Sequence, residues 1–197
     1  MAYPTVSAPY GFQPINRIGG NPYAGSTRLV PVDSGAMYTG DLVELLSSGK
    51  CAVVADGTAA PQALGVCVGV QYTNSSGQTV QAQYYPTGVT NAVAYVVVDP
   101  QAAFKVAVTT SGNTSTVTYV TRAAVGTNIG AAAGTGSNTT GDSGLSVVSG
   151  TAANTAVLPF RVVDVVPETA INSTAFREVI VKLNQPQLEV TLGNSAS

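Results

Sequence analysis

The sequence predicts an all-β fold, a small β-barrel or sandwich with an extended N-terminal arm and a long Gly/Thr-rich hairpin or loop. Three observations lead there. From about residue 29, short β-branched runs recur roughly every ten residues. Segments of turn chemistry, "SSGK", "DGTAAP", "NSSG", "PTG" and "TSGN", separate them. No stretch has the 3.6-residue period of an amphipathic helix.

Residues 1–29 form the arm. The stretch "APYGFQPINRIGGNPYAGSTRLVPV", residues 8–32, holds four prolines, four glycines, three aromatics and two arginines, and no acid. Pro4, Pro9, Pro14 and Pro22 each remove a ladder donor and push the preceding residue toward extended geometry. Such an arm suits strand addition and groove filling on a partner. Tyr10, Phe12, Ile15, Ile18 and Tyr23 are its candidate anchors, and Arg17 and Arg28 its candidate forked donors to carboxylates or carbonyls. The alternative is that it wraps its own barrel and covers an edge strand.

Residues 30–184 read as the barrel or sandwich domain. The expected strands are "RLVPV", "DLVELL", "CAVVA", "LGVCVGVQYT", "TVQAQYY", "VAYVVV", "FKVAV", "TVTYVTRAA", "GLSVVS", "LPFRVVDVV" and "EVIVKLN". In the last, Val179, Val181 and Leu183 alternate with Glu178, Ile180 and Lys182, as in a half-buried strand. By contrast "AYVVVD" and "LGVCVGV" are apolar on both faces, as strands inside a molecule or at a subunit interface are. In "DPQAAF", Asp99 and Pro100 predict one short helical turn. Residues 125–156 carry one charge, seven glycines and no aromatic. Alone they would be flexible; the ordered alternative is a long hairpin packed on the barrel or a neighbour. Residues 185–197 read as a closing strand and loose tail.

Composition excludes several function classes. Charged residues are 9% of the chain, against roughly 25% in an average soluble domain. The net charge of -2 and eight scattered basic residues argue against nucleic acid, which needs clustered cations. No apolar run approaches the ~20 residues of a membrane span, so no membrane partner is expected. The N-terminus lacks a basic and then apolar leader, which predicts synthesis in a cytoplasm. Cys51 and Cys67 would face each other if their runs formed a hairpin centred near residue 59, making a disulfide conceivable; the other reading is two small buried thiols.

Catalytic chemistry finds no foothold. There is no histidine, which removes Ser-His-Asp and Cys-His arrangements. "SSGK" matches Ser-x-x-Lys at Ser47 and Lys50 in spacing, but reads as a solvent turn. Asp41 and Glu44, three apart on a strand, point to opposite faces. Asp33, Asp56, Asp99 and Asp142 sit at turns, with "TGDSG" an opportunistic calcium site at most. The glycine runs do not lead from a strand into a helix, as phosphate loops do. No enzyme activity, cofactor or small-molecule substrate is therefore expected, and the chain reads as one built to hold a surface.

The run "TGDLVELLSSGKCAVVADGTAAPQALGVCVGVQYT" resembles a recurring pattern in capsid decoration, or cement, proteins of tailed bacteriophages. In those families a GD-x-V turn leads into a strand, a variable hairpin follows, and a GV-x-VGV strand closes a small barrel. The corresponding residues are Gly40, Asp41 and Val43, then Gly65, Val66, Val68, Gly69 and Val70. The opening segment and "FREVIVKLN" are similar to structural proteins of short-tailed phages, including those of marine and cyanobacterial hosts. The resemblance implies a protein on the capsid outer surface of the virion, made in the host cytoplasm. It implies binding to the major capsid protein after shell expansion, commonly as a homotrimer, clamping adjacent subunits. A virion surface binding module, such as a head fibre base or tail protein engaging host glycans, is the alternative.

Overall fold

A computed structural model of the chain describes residues 6–18, 20–22, 27–54, 62–86, 89–110, 118–154, 158–166, 176–184 and 186–188. Among these the regular structure is almost all β, as expected. The first strands are β1 (Gln13–Arg17), β2 (Thr27–Pro31), β3 (Met37–Tyr38), β4 (Leu42–Leu45), β5 (Cys51–Val53), β6 (Gly65–Thr73), β7 (Thr79–Ala82), β8 (Tyr84–Tyr85) and β9 (Thr90–Val97). The rest are β10 (Ala102–Thr109), β11 (Asn128–Ile129), β12 (Ala131–Ala132), β13 (Ser146–Val148), β14 (Phe160–Val165) and β15 (Glu178–Leu183).

One sheet runs β2-β9-β6-β4-β5, with β7 also on β6. It curls until its ends meet: Val32, just beyond β2, bridges Cys51 in β5, and the Asp33 N–H donates to the Cys51 carbonyl at 2.9 Å. The result is a nearly closed small barrel. Its interior is filled by Val30, Val43, Cys67, Val70, Ala94 and Val96, with Met37 and Tyr85 from the β3–β8 pair. Alternate residues point outward, yet Leu42, Val66 and Val97 are buried too, because a second sheet covers that wall. This is why "LGVCVGV" is apolar on both faces: β6 separates two cores.

The second sheet runs β11-β14-β15-β10-β13-β12, and β1 pairs with β10. In β15, Val179, Val181 and Leu183 do face the core, packed with Phe104, Val106 and Phe160. On the opposite side of β10 from β15, the N-terminal half is covered by β1 and the C-terminal end by β13.

Several expectations need correction. The "CAVVA" and "LGVCVGV" strands are not neighbours: β4 lies between β5 and β6, so Cys51 pairs with Leu45 and Cys67 with Val96. Both thiols are buried and free. "DPQAAF" forms no helical turn. Asp99 does cap a turn, its carboxylate accepting the Gln101 N–H at 2.9 Å and its carbonyl the Ala102 N–H at 3.0 Å, but the turn does not continue as helix because Ala102 already belongs to β10. "TVTYVTRAA" is not a strand over its described part, where Arg122–Ala124 makes a single 3-10 turn.

The Gly/Thr-rich stretch is no excursion from the body. Over residues 125–154 it supplies β11, β12 and β13 and places Ile129, Ala131, Leu145 and Val147 in the larger core. Its glycines serve close approach: a Cβ on Gly134 would lie 2.0 Å from the Gly144 carbonyl oxygen. Thr109 and Ser146 hydroxyls meet at 2.8 Å beside them. Composition suggested an entropic burden, whereas small side chains here let backbones pack.

Candidate functional site

Three segments far apart in sequence meet at one junction: the arm at Tyr10, Gly11 and Phe12, the turn at Thr39, Gly40 and Asp41, and the Gly/Thr-rich stretch at Gly141 to Leu145. Backbone bonds join them. The Phe12 N–H donates to the Gly40 carbonyl at 2.9 Å and the Gly11 N–H to the Leu145 carbonyl at 3.2 Å. The Ser143 N–H donates to the Thr39 carbonyl at 2.8 Å. Gly11 and Gly40 have φ of +78° and +90°, and a Cβ on Gly11 would stand 2.6 Å from the Gly40 oxygen. The two glycines allow the arm to cross the turn in direct backbone contact.

Asp41 holds that turn. Its Oδ2 accepts the Tyr38 N–H at 2.8 Å, while its own N–H donates to the Tyr38 carbonyl at 3.1 Å. Burial raises its carboxyl above the usual value, partly offset by hydrogen bonds from Ser143 and Tyr38. The rest of the sequence motif is structural as well. Val43, Val66 and Val70 are core residues, Val68 is half-buried, and a Cβ on Gly65 would lie 2.0 Å from the Val97 oxygen. Gly69 lies opposite Tyr95, where the β6–β9 register shifts.

The arm's candidate anchors separate into different roles. Phe12 is fully buried and stacked on Phe160, with ring centroids 4.4 Å apart and planes 16° apart. It is thus an internal anchor with no surface to give a partner. Tyr10 is half-buried, and its hydroxyl donates to Glu178 Oε1, which Lys105 Nζ also contacts at 3.1 Å. Burial, the hydrogen bond to Glu178 and the Glu178 charge all push the Tyr10 phenol far up. Arg17 is tied to the buried Asp99 at 2.8 Å. Ile15 is half-buried in β1, whereas Ile18 is 40% exposed. Tyr23 lies outside the described residues.

Arg28 differs from the rest. It sits on β2, exposed, beside Leu29 with 62% of its surface exposed. From Thr27 of the same strand, across Tyr95 of β9 to Gln81 of β7, lies an open groove of about 590 Å³, also lined by Val68, Gly69 and Gln83 and uncharged throughout. A second cavity of about 440 Å³ lies between arm residues 7–10 and the side chains of Thr135, Ser137, Thr140 and Asp142. Among the described residues no cluster of three metal-ligating side chains occurs.

Sequence reasoning missed the Tyr10, Lys105 and Glu178 group, because Glu178 lies on what alternation marks as the solvent face of β15. Tyr10 of the arm covers that face at Glu178. The clue available was a base in the otherwise apolar run of β10 and an acid in β15, its neighbour on the side away from β1. No protein-family model, curated protein or solved structure matches the chain.

Proposed function

We propose that this chain is a capsid decoration protein that binds the outside of an icosahedral phage shell and clamps adjacent major capsid subunits. The observation that supports this reading is the pairing of the two segments that carry the resemblance. The strand after Gly40 and Asp41 and the GV-x-VGV strand lie side by side, Leu42 against Val66 and Val43 against Gly65, at the centre of a small barrel. The arm bonds that barrel at Gly40 and the second sheet along β10, a tie between the two that suits bearing load between neighbours. Homotrimeric assembly and major capsid protein as partner belong to the same proposal.

Copy number tests it. A quantitative stained gel of purified particles should give this 19.8 kDa band near a one-to-one molar ratio with the major shell protein. A ratio of a few per hundred overturns the decoration reading and points to a vertex or tail module that engages host glycans. The hydroxyl-lined cavity beside Asp142 favours that second reading, since one carboxylate among Ser and Thr side chains can accept from vicinal sugar hydroxyls.

A further inference from the structure

Strand β2 has a strand partner on one side only among the described residues. The Val32 N–H donates to the Ala92 carbonyl of β9 at 2.9 Å. Alternation along the antiparallel ladder therefore turns Val30 and Arg28 toward β9 and leaves the N–H and C=O of Leu29 and Thr27 facing away. On that outer side Asp33 reaches β5 at Cys51, but there β5 begins, and the chain before it is the turn after β4. The edge over Thr27–Leu29 thus runs past the seam, which begins at Pro31 and Val32. Pro31 occupies an outward position, where a residue without an N–H costs β9 no bond.

Among the described residues this edge is guarded by its short length, the proline and the single charge of Arg28, and no strand, helix or loop covers Leu29. Leu29 stands on the outer face and continues the row formed with Tyr95 and Gly69. Arg28, on the other face, has no carboxylate partner among the described residues; Arg17, Lys50, Lys105 and Arg122 each have one.

We propose that the free edge of β2 accepts an extended segment of another protein that carries a carboxylate next to an apolar residue. The added strand bonds Leu29 and Thr27 through the backbone, lays its apolar side chain on Leu29, and sets its carboxylate against Arg28. A second copy of β2 is the wrong occupant. Antiparallel pairing about Leu29 would place Arg28 opposite the partner's Val30 and bring the two Arg28 side chains to diagonal positions on one face, with no acid in either strand. So short a strand binds weakly by itself, and gains strength where many copies attach at once. Taking the segment to belong to the major shell protein rests on the decoration reading; the acceptor chemistry does not.

The test uses the full ¹⁵N-labelled chain titrated with the end-capped peptide STVEVTS and its counterpart STVQVTS. The Glu peptide should shift the amides of Thr27 to Val30 and bind about threefold tighter than the Gln peptide, the size expected of one exposed ion pair. Arg28→Glu should remove or reverse that preference. Leu29→Pro should abolish the response while leaving every β9 bond in place, and Arg28→Glu keeps the test decisive if the proline variant does not fold. Equal binding of the two peptides, shifts elsewhere, or no response at millimolar peptide overturns the proposal. On particles, high copy number with normal attachment of Arg28→Glu would refute the shell protein as the source of the segment and spare the decoration reading. Low copy number would refute that reading and spare the edge, since the peptide result stands by itself.

Discussion

Replacing Phe12 by Ala tests whether the arm is part of the folded body. Phe12 is fully buried, stacks on Phe160 at 4.4 Å and shares its core with Phe104, Val162 and Leu183. Truncating a buried Phe costs about 3–5 kcal/mol, because transfer energy is lost and the cavity only partly collapses. For a chain of this length each kcal/mol lowers Tm by about 2–4 °C. Thermal unfolding followed by circular dichroism should therefore show Phe12→Ala melting about 6–20 °C below the parent. Ile15→Ala, on the same arm but half-buried, should shift it less. A double-mutant cycle with Phe160→Ala should return a coupling of about 0.5–1.5 kcal/mol for the stacked pair. A Phe12→Ala shift below about 2 °C, with the native spectrum kept, would mean that the arm leaves the body at no cost, and the internal-anchor argument would fail.

Other perturbations probe the remaining parts of the junction and barrel. Tyr10→Phe removes the hydroxyl donated to Glu178 while Lys105 stays at 3.1 Å; chemical denaturation should show a loss of about 1.5–3 kcal/mol, as for hydrogen bonds to charged groups, and a loss under 0.5 kcal/mol would contradict the arrangement. Burial pushes the Cys51 thiol up to about 11 and Cys67 to about 12 from 9.0. At pH 8 that lowers the thiolate fraction by about 100-fold or more, so a disulfide reagent should label neither thiol in the native chain and both in denaturant; prompt native labelling of either would refute their burial. For Asp41, burial raises the folded value above 3.8, so the folded state holds the proton to higher pH than the unfolded chain does. Its ionisation costs stability above that raised value, and the cost fades as pH falls through it toward 3.8. Stability of the parent relative to Asp41→Asn should therefore improve on acidification across that window and stay flat above it, and a difference moving the other way would show the carboxylate to be stabilised in place.

The strands legible in the sequence are those whose own residues carry the signal. Runs such as "LGVCVGVQYT" and "EVIVKLN" declare themselves by β-branching and period, and β6 and β15 follow within a residue or so. The unread strands β1, β3, β11 and β12 have weak local preference or only two residues. They exist because a neighbour presents an edge: β1 over Gln13–Arg17 has a proline within it and forms against β10. The site divides in the same way. Gly40 and Asp41 are readable as a tight turn, but nothing near them in sequence tells that Gly11 crosses that turn at backbone distance.

By itself the sequence determined the fold class, the described turns at residues 47–50 and 74–77 and the two-faced burial of the central strands, since these depend on residue type and spacing of two; the expected turns at 56–61, 86–88 and 110–113 lie wholly or largely outside the described residues. Only the tertiary structure decided what the arm, the Gly/Thr-rich stretch and the lone charges do. Phe12 became core rather than surface because Phe160, 148 residues later, lies beneath it. Gly134 and Gly144 mark contact rather than freedom because two backbones meet there. Such outcomes depend on which distant segments share a space, and long-range packing is a property no local window of sequence contains.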